Sequence, residues 1–295
     1  MPSTLVRSLA SLLLLLVAVT GLRAQDAQPP KIDFPAPSPA ATLKQRVGLT
    51  DIEVNYSRPG VKDRQIFGGL VPYNQVWRTG ANAATKIKFS TAVKLNGTPV
   101  AAGTYELFSI PNPNEWTIIV HKDSSDWGAY RYDPKNDVVR FAAKTIALPN
   151  LIETFAIGVS DIRDESAILY LAWEKTRVPI KVEVDVTSVV LPQIEAVMAS
   201  SAEKKPYFQA AMFYLDRDHD LAKAAEWMDA AATAQPDGFY IYYHRARLLA
   251  KLGKKDEAIA SAQKSIEIAQ KVGGPAKDEY LRLNEALLNK LKLQF

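Results

Sequence analysis

Cysteine is missing from the whole chain of 295 residues. Its absence excludes disulfides, thiolate metal sites, a cysteine nucleophile and the lipid-attachment cysteine of bacterial lipoproteins. Histidine is scarce. His121, His219 and His244 are the only three, and they stand in separate neighbourhoods: the end of an expected strand, an inter-helix turn and a helix. Such a set favours ordinary surface or core histidines, so neither a metal nor a cofactor is expected. A G-x-S-x-G elbow, a Walker loop and a G-x-G-x-x-G after a strand are also missing, which leaves acyl transfer on a hydrolase fold, P-loop phosphoryl transfer and dinucleotide chemistry without their marks. Charge of one sign is lacking too. With 36 Lys and Arg against 32 Asp and Glu the net charge is +4, too balanced for a nucleic-acid partner, which needs a concentrated basic face.

The long apolar run sits at the start. Leu9 to Val19, dominated by Leu12 to Leu16, follows Arg7 and leads into Gly21-Leu22-Arg23-Ala24. It is shorter than the roughly 20 residues of a membrane helix and ends beside Arg23, so residues 1–24 read as a secretory signal peptide cleaved after Ala24. Cleavage removes Arg7 and Arg23, leaving 34 basic against 32 acidic residues and a net charge of +2. The expected product is soluble, without an integral membrane segment, and resides in the periplasm or outside the cell. Residues 25–41, rich in Pro, Ala and Gln, read as a flexible spacer.

Two periodicities then divide the chain. From 42 to 190 the period is two: Ile52, Val54 and Tyr56 alternate with Asp51, Glu53 and Asn55, and Val178, Ile180, Val182, Val184 and Val186 alternate with charged residues. Short apolar segments near 86–89, 93–95, 104–110, 116–121, 138–142, 153–159 and 167–173 fill the interval, and Asn96-Gly97 is a tight-hairpin signal because both central residues of that turn need positive φ. Roughly nine strands without intervening helices predict a mainly β domain, an antiparallel β-sandwich with a jelly roll among the topologies left open. After Pro192 the period turns helical and alanine replaces the β-branched runs. Ala224, Met228, Ala231 and Pro236 are followed 34 residues later by Ala258, Ala262, Ser265 and Gln270. That period in a helix-turn-helix pattern resembles a tetratricopeptide repeat, with Leu252-Gly253 as its best local match, His219 where the first unit would carry its turn glycine, and Asp278 to Leu293 as a capping helix. Residues 191–295 are therefore expected to be an α-helical hairpin domain.

The densest chemistry lies between Asn55 and Thr85, where arginines, aromatics, glycines and prolines crowd together. Arg58, Arg64, Trp77, Arg78 and Asn82, with Trp127 further on, form the candidate ligand-binding set. Guanidinium groups offer paired donors in a fixed fork, suited to a carboxylate or phosphate, with Phe67, Tyr73 and Trp77 as walls. A second reading makes the segment an irregular crossover whose Ile66, Phe67, Val71, Val76 and Trp77 plug the sandwich while the arginines pair internally; the apolar density favours it. Trp116, Trp127 and Trp173 could be sugar platforms, although core tryptophans are commoner. Asp161, Asp164 and Glu165, and Asp123, Asp126, Asp133 and Asp137 around Trp127, Tyr130 and Tyr132, are candidate acid-base groups, but Asp also serves as a turn former.

The motifs S-R-P at 57–59, I-F-G-G-L-V-P-Y at 66–73, V-W-R-T-G-A-N at 76–82, A-G-T-Y at 102–105, W-G-A-Y at 127–130 and W-E-K at 173–175 resemble a bacterial family catalogued as domain of unknown function 2911, over about residues 37–185. The resemblance implies an exported β-rich domain, sometimes joined to helical repeats, and carries no reaction. The chain departs from the family at Lys62-Asp63-Arg64, where K-G-R is common, and at Asn82-Ala83-Ala84-Thr85, where N-E-A-T is common.

The expected function is that of a non-enzymatic binding or scaffold protein. Its sandwich would take a small anionic or sugar ligand, and its helical tail a protein or peptide partner. The alternative is an envelope carbohydrate-active or other hydrolytic enzyme using Asp and Glu acid-base chemistry.

Overall fold

The computed structural model describes residues 32–122 and 127–293, and the expected signal peptide and the first part of the expected spacer, up to residue 31, lie outside them. Among the described residues there are ten strands. A six-stranded antiparallel sheet has the order β1 (Ala40–Val47), β2 (Thr50–Ser57), β3 (Thr85–Phe89), β6 (Gly103–Ile110), β7 (Glu115–Lys122), β8 (Asp137–Lys144); a four-stranded one has the order β5 (Thr98–Val100), β4 (Val93–Leu95), β10 (Ser166–Val184), β9 (Ile146–Ser160). The period-two pattern explains the layers. Ile52, Val54, Ile87, Phe89, Leu107, Ile118 and Val120 on the first sheet and Phe155, Ile157, Leu169, Leu171 and Ile180 on the second are all buried, each contributing about 1.5–3 kcal/mol by leaving water.

The β4–β5 hairpin turns on Asn96 and Gly97 with φ of 46° and 81°, as the dipeptide required. The Asn96 side chain does a second job: its Oδ1 accepts the Lys181 N–H at 2.8 Å and its Nδ2 donates to the Ala142 carbonyl at 3.0 Å. Two features differ from the sequence reading. Structure begins at Ala40, inside the expected spacer, because β1 is an edge strand whose alternation is only half-buried. And the apolar segments near 167–173 and 178–186 belong to one strand of 19 residues, bent at Glu174, which has φ of 55° beside register shifts against β9. A bulge bends a strand without ending it.

Two compact units divide the chain. One holds residues up to Arg46, Asp51–Asp161 and Ala167–Val182; the other holds Val47–Thr50, Ile162–Ser166 and Glu183 onward. The second contains six helices among its described residues: α1 (Thr187–Ala199), α2 (Tyr207–Asp216), α3 (Leu221–Ala234), α4 (Phe239–Lys251), α5 (Lys255–Val272) and α6 (Lys277–Leu293). Helix begins ahead of Pro192, which stands inside α1, because Asp185 accepts the Ser188 N–H at 3.0 Å and starts the first turn. Three of the four pairs repeating at 34 residues are buried in both hairpins, Ala224 with Ala258, Met228 with Ala262, and Ala231 with Ser265, while Pro236 and Gln270 are both exposed. Where His219 replaces the turn glycine, Asp218 and Asp220 take positive φ instead, and Asp220 caps α3 by accepting the Lys223 N–H. Asp tolerates that region better than most residues.

At the centre of the β unit Trp77 stacks on Trp173, with ring centroids 5.9 Å apart and an interplanar angle of 18°, while Phe67, Trp116 and Phe155 meet them edge-on. Replacing Trp77 with alanine should lower the unfolding free energy of this unit by about 3–5 kcal/mol, read by denaturant titration with near-ultraviolet circular dichroism.

Candidate ligand-binding cleft

Between Arg58 and Ala84 the backbone forms neither strand nor helix, yet it is closely fixed. Val71 N–H and Gly69 N–H both donate to the Ile66 carbonyl, and Gly68 N–H to the Val71 carbonyl. Two glycines permit this knot. A Cβ on Gly68, at φ of 83°, would lie 2.7 Å from the Tyr73 ring, and one on Gly69 would lie 2.5 Å from the Gln65 carbonyl. Trp77 exchanges backbone hydrogen bonds with Ser109 of β6 at 2.7 and 2.9 Å, and its indole N–H reaches the Gly80 carbonyl at 3.0 Å. Thr79 is wholly buried at φ of 52°, a conformation that costs a β-branched residue on the order of 1–3 kcal/mol. Its hydroxyl shares a hydrogen bond with Ser109 Oγ at 2.9 Å, and its carbonyl accepts from Thr85 Oγ1 at 2.6 Å. These bonds hold the strained residue, and with it the direction of Arg78.

The three arginines have different fates. Arg58 Nε donates to the Phe155 carbonyl at 3.0 Å, and Arg64 donates through Nε to Val61 O at 3.0 Å and through Nη2 to Gly60 O at 2.7 Å. Both pair internally, as the crossover reading required. Arg78 does not. Its Nε is buried without a hydrogen-bond partner, and its guanidinium forms no ion pair with the described residues. A buried donor left unmade is costly and calls for an explanation.

Arg64, Trp77, Arg78 and Asn82 line one cleft of about 580 Å³. The other two candidates stand apart. Arg58 is turned to the backbone of β9, and Trp127 lies at the rim, 66% exposed, with its backbone bridged to Ala83 beside Asn82. Trp116 and Trp173 are core, at 2% and 1% exposure, so Trp127 alone among these three escapes the sandwich. Asn82 Nδ2 donates to Ser38 O and Ser57 Oγ, both at 3.3 Å. The cleft is also lined by Tyr130, 83% exposed on the far wall, and by Ser38 and Gln75, none of them among the ligand-binding candidates read from the sequence. The W-G-A-Y motif could have pointed to Tyr130, whereas Ser38 sits in the expected spacer with no local signal.

The far wall is anchored from behind. Tyr132 O–H donates to Asp137 at 2.8 Å, Arg140 bonds both groups, and the Tyr132 ring packs 5.2 Å from Phe108. Burial first, then Asp137, pushes the Tyr132 hydroxyl up to about 12. No carboxylate lines the cleft among the described residues. Of the acid-base candidates, Asp133 caps the 3-10 turn Pro134–Asn136, Asp161 turns the chain at φ of 51°, and Glu165 accepts from Thr187 Oγ1 at 2.6 Å and pairs with Arg217 at 3.5 Å; Asp123 and Asp126 lie outside the described residues. Asp164 and Glu165 do come together, at 4.0 and 3.5 Å from Arg217 in a separate cleft that Asp216 also lines, but neither is in the lining of the Arg78 cleft.

With the geometry in place, residues 38–182 match the family model described as a protein of unknown function, DUF2911. The match covers the β region, 145 of the 295 residues (38–182). Comparisons with curated proteins and with solved structures found no match. The DUF2911 match opens at Ser38, a residue of the cleft, and closes at Val182, where the first compact unit also ends. The whole cleft lining therefore falls within it. Asp63, where the family pattern commonly has glycine, has φ of 57°, which explains that departure: the position needs a left-handed backbone, and Asp can supply one.

The histidines lie away from this site. His121 is buried 3.6 Å from Glu106, and His219 stacks edge-on to Tyr214. His244 Nδ1 faces Arg247 Nη1 at 2.9 Å. Burial, and then Arg247, hold His244 down at about 4 against an ordinary 6.5. The unfolded chain then binds the proton more readily than the folded one, so the stability of the helical unit should be intact above about pH 6.5 and fall as pH drops toward 4. Denaturant titration across that range should show a loss on the order of 1–2 kcal/mol, allowing for solvent screening, and His244→Gln should remove it.

Proposed function

We propose that this chain is an exported binding protein whose DUF2911 domain holds a small anionic ligand on Arg78. The observation that supports it is the buried, unpartnered Nε of Arg78 in a cleft whose described lining contains no carboxylate. Arg78 is only half-buried, but its Nε has already lost water without gaining a partner, so the group gains more from an incoming anion than a fully solvated guanidinium would. Binding fits better than catalysis, since no acid-base pair faces the same space. Calorimetric titration with sodium acetate should show saturable binding that Arg78→Ala reduces at least 10-fold and Arg78→Lys reduces less, with the variants' far-ultraviolet circular dichroism unchanged. Equal acetate binding in native and Arg78→Ala protein would refute the reading.

The helical unit supports a second activity. A groove of about 550 Å³ between α4 and α6 sets Arg247, Lys251 and Lys290 around a floor that includes Leu283, Leu287 and Leu291, with no acidic residue in its lining. We read the hairpins as tetratricopeptide-like and this groove as a seat for an acidic peptide with apolar side chains. Lys251→Glu combined with Lys290→Glu should then abolish binding of a fluorescent Asp/Leu-containing peptide, and retention of binding would count against the assignment.

A further inference from the structure

The rim of the cleft points to the chemical class of its ligand, an inference that rests on the anion-binding reading above. Gly128 takes φ of 75°, and a Cβ built on it would lie 2.9 Å from the Tyr130 ring and 3.2 Å from Arg78 Nη1. The free guanidinium and the exposed ring thus flank the same glycine. An anion held by Arg78 places whatever it is attached to alongside Tyr130. Trp127 is not in the cleft lining, but it is 66% exposed against 83% for Tyr130, three residues away, and its backbone is bridged to Ala83 beside Asn82. Two large aromatic side chains left in water so close in the chain are candidates for a binding face.

Charge and shape narrow the choice. Arg64 already spends Nε and Nη2 on the carbonyls of Val61 and Gly60, whereas Arg78 has no hydrogen-bond partner at Nε and no ion pair among the described residues. A single guanidinium edge presents parallel N–H donors, which match a planar carboxylate. The lining interleaves Ser38, Gln75 and Asn82 with Val76, Ala81 and Ala129. This mixture suits a body with polar edges and apolar faces. A sugar ring has that character: hydroxyl groups around its edge bond to amides and hydroxyls, and its C–H face rests on an aromatic ring. The volume of about 580 Å³ falls in the usual range for small-molecule sites. We infer that the ligand is an acidic saccharide of the hexuronate class, its carboxylate on Arg78 and its ring against Tyr130 and Trp127.

Ala83 sharpens the inference. It is exposed, carries only a methyl group, and is paired through its backbone with Trp127. In this chain the rim therefore has no carboxylate at that position to repel an acidic sugar.

The test titrates the purified full chain with D-glucuronate, a galacturonate trimer, D-glucose, sodium acetate, benzoate and inorganic phosphate, following heat and tryptophan fluorescence. The expected result is that a uronate binds at least 10-fold tighter than acetate and shifts the Trp127 emission, with no binding of glucose. Tyr130→Ala and Trp127→Ala should erase the advantage of uronate over acetate, read as the ratio of the two affinities, and Ala83→Glu should weaken both ligands severalfold. These three positions are exposed, so their substitution leaves the core intact. Uronate binding no tighter than acetate, or a preference for benzoate or phosphate, each still dependent on Arg78, overturns the saccharide class and leaves the anion reading standing. Absence of binding by every probe overturns both.

Discussion

The stacking of Trp77 on Trp173 is the contact on which the rest of the β unit depends. It ties a segment without regular structure to β10, and through Phe67, Trp116 and Phe155 to both sheets. Once the Trp77 ring is buried there, its backbone pairs with Ser109, and the residues on either side have little freedom left. The hydrophobic anchor precedes the polar site in the physical hierarchy: an aromatic cluster that gains dispersion and leaves water can hold a strained Thr79 and a costly unpaired guanidinium a residue or two away. Crossover and pocket, which looked like rival readings of residues 55–85, are the inner and outer faces of the same segment.

Function in this architecture follows from which polar groups are already satisfied. Three arginines of one composition and one neighbourhood part company only because backbone carbonyls of Phe155, Val61 and Gly60 are in reach of two of them. The third is opposed by Gly128, a residue without a side chain to occupy the space or accept a bond. The wall behind that glycine is tied to Tyr132, whose N–H donates to the Ala129 carbonyl of the lining and whose hydroxyl is held by Asp137 and Arg140.

Local chemistry was legible in advance where it acts locally. Asn96-Gly97 requires positive φ at both residues whatever surrounds it, and the 34-residue spacing marks small residues that helices must bury. The single bent β10 was not legible, because the bulge at Glu174 arises from its register against β9, some 20 residues away in the chain. The strand β1 was hidden for a similar reason: Ala40 to Val47 has little apolar content, and its place is set by pairing with β2. Ser38 enters the cleft as a consequence of that pairing. Pro192 misled by its identity, since a proline near a helix start is tolerated where Asp185 has already turned the chain.

By itself the sequence determined the two periodicities, the β and α regions they specify, the tight hairpin, the family resemblance of the β region and the segment from which a site would be built. These follow from side-chain alternation, backbone permissiveness and motif, all properties of short stretches. The tertiary structure alone decided that, among the described residues, Arg78 rather than Arg58 or Arg64 is left without a partner, that Trp127 and Tyr130 face water while Trp116 and Trp173 do not, and that Asp133 and Asp161 serve a cap and a turn while Asp137 and Glu165 pair with arginines. Each of those outcomes turns on whether a partner distant in sequence comes within hydrogen-bonding or packing distance, and only the folded chain fixes such distances.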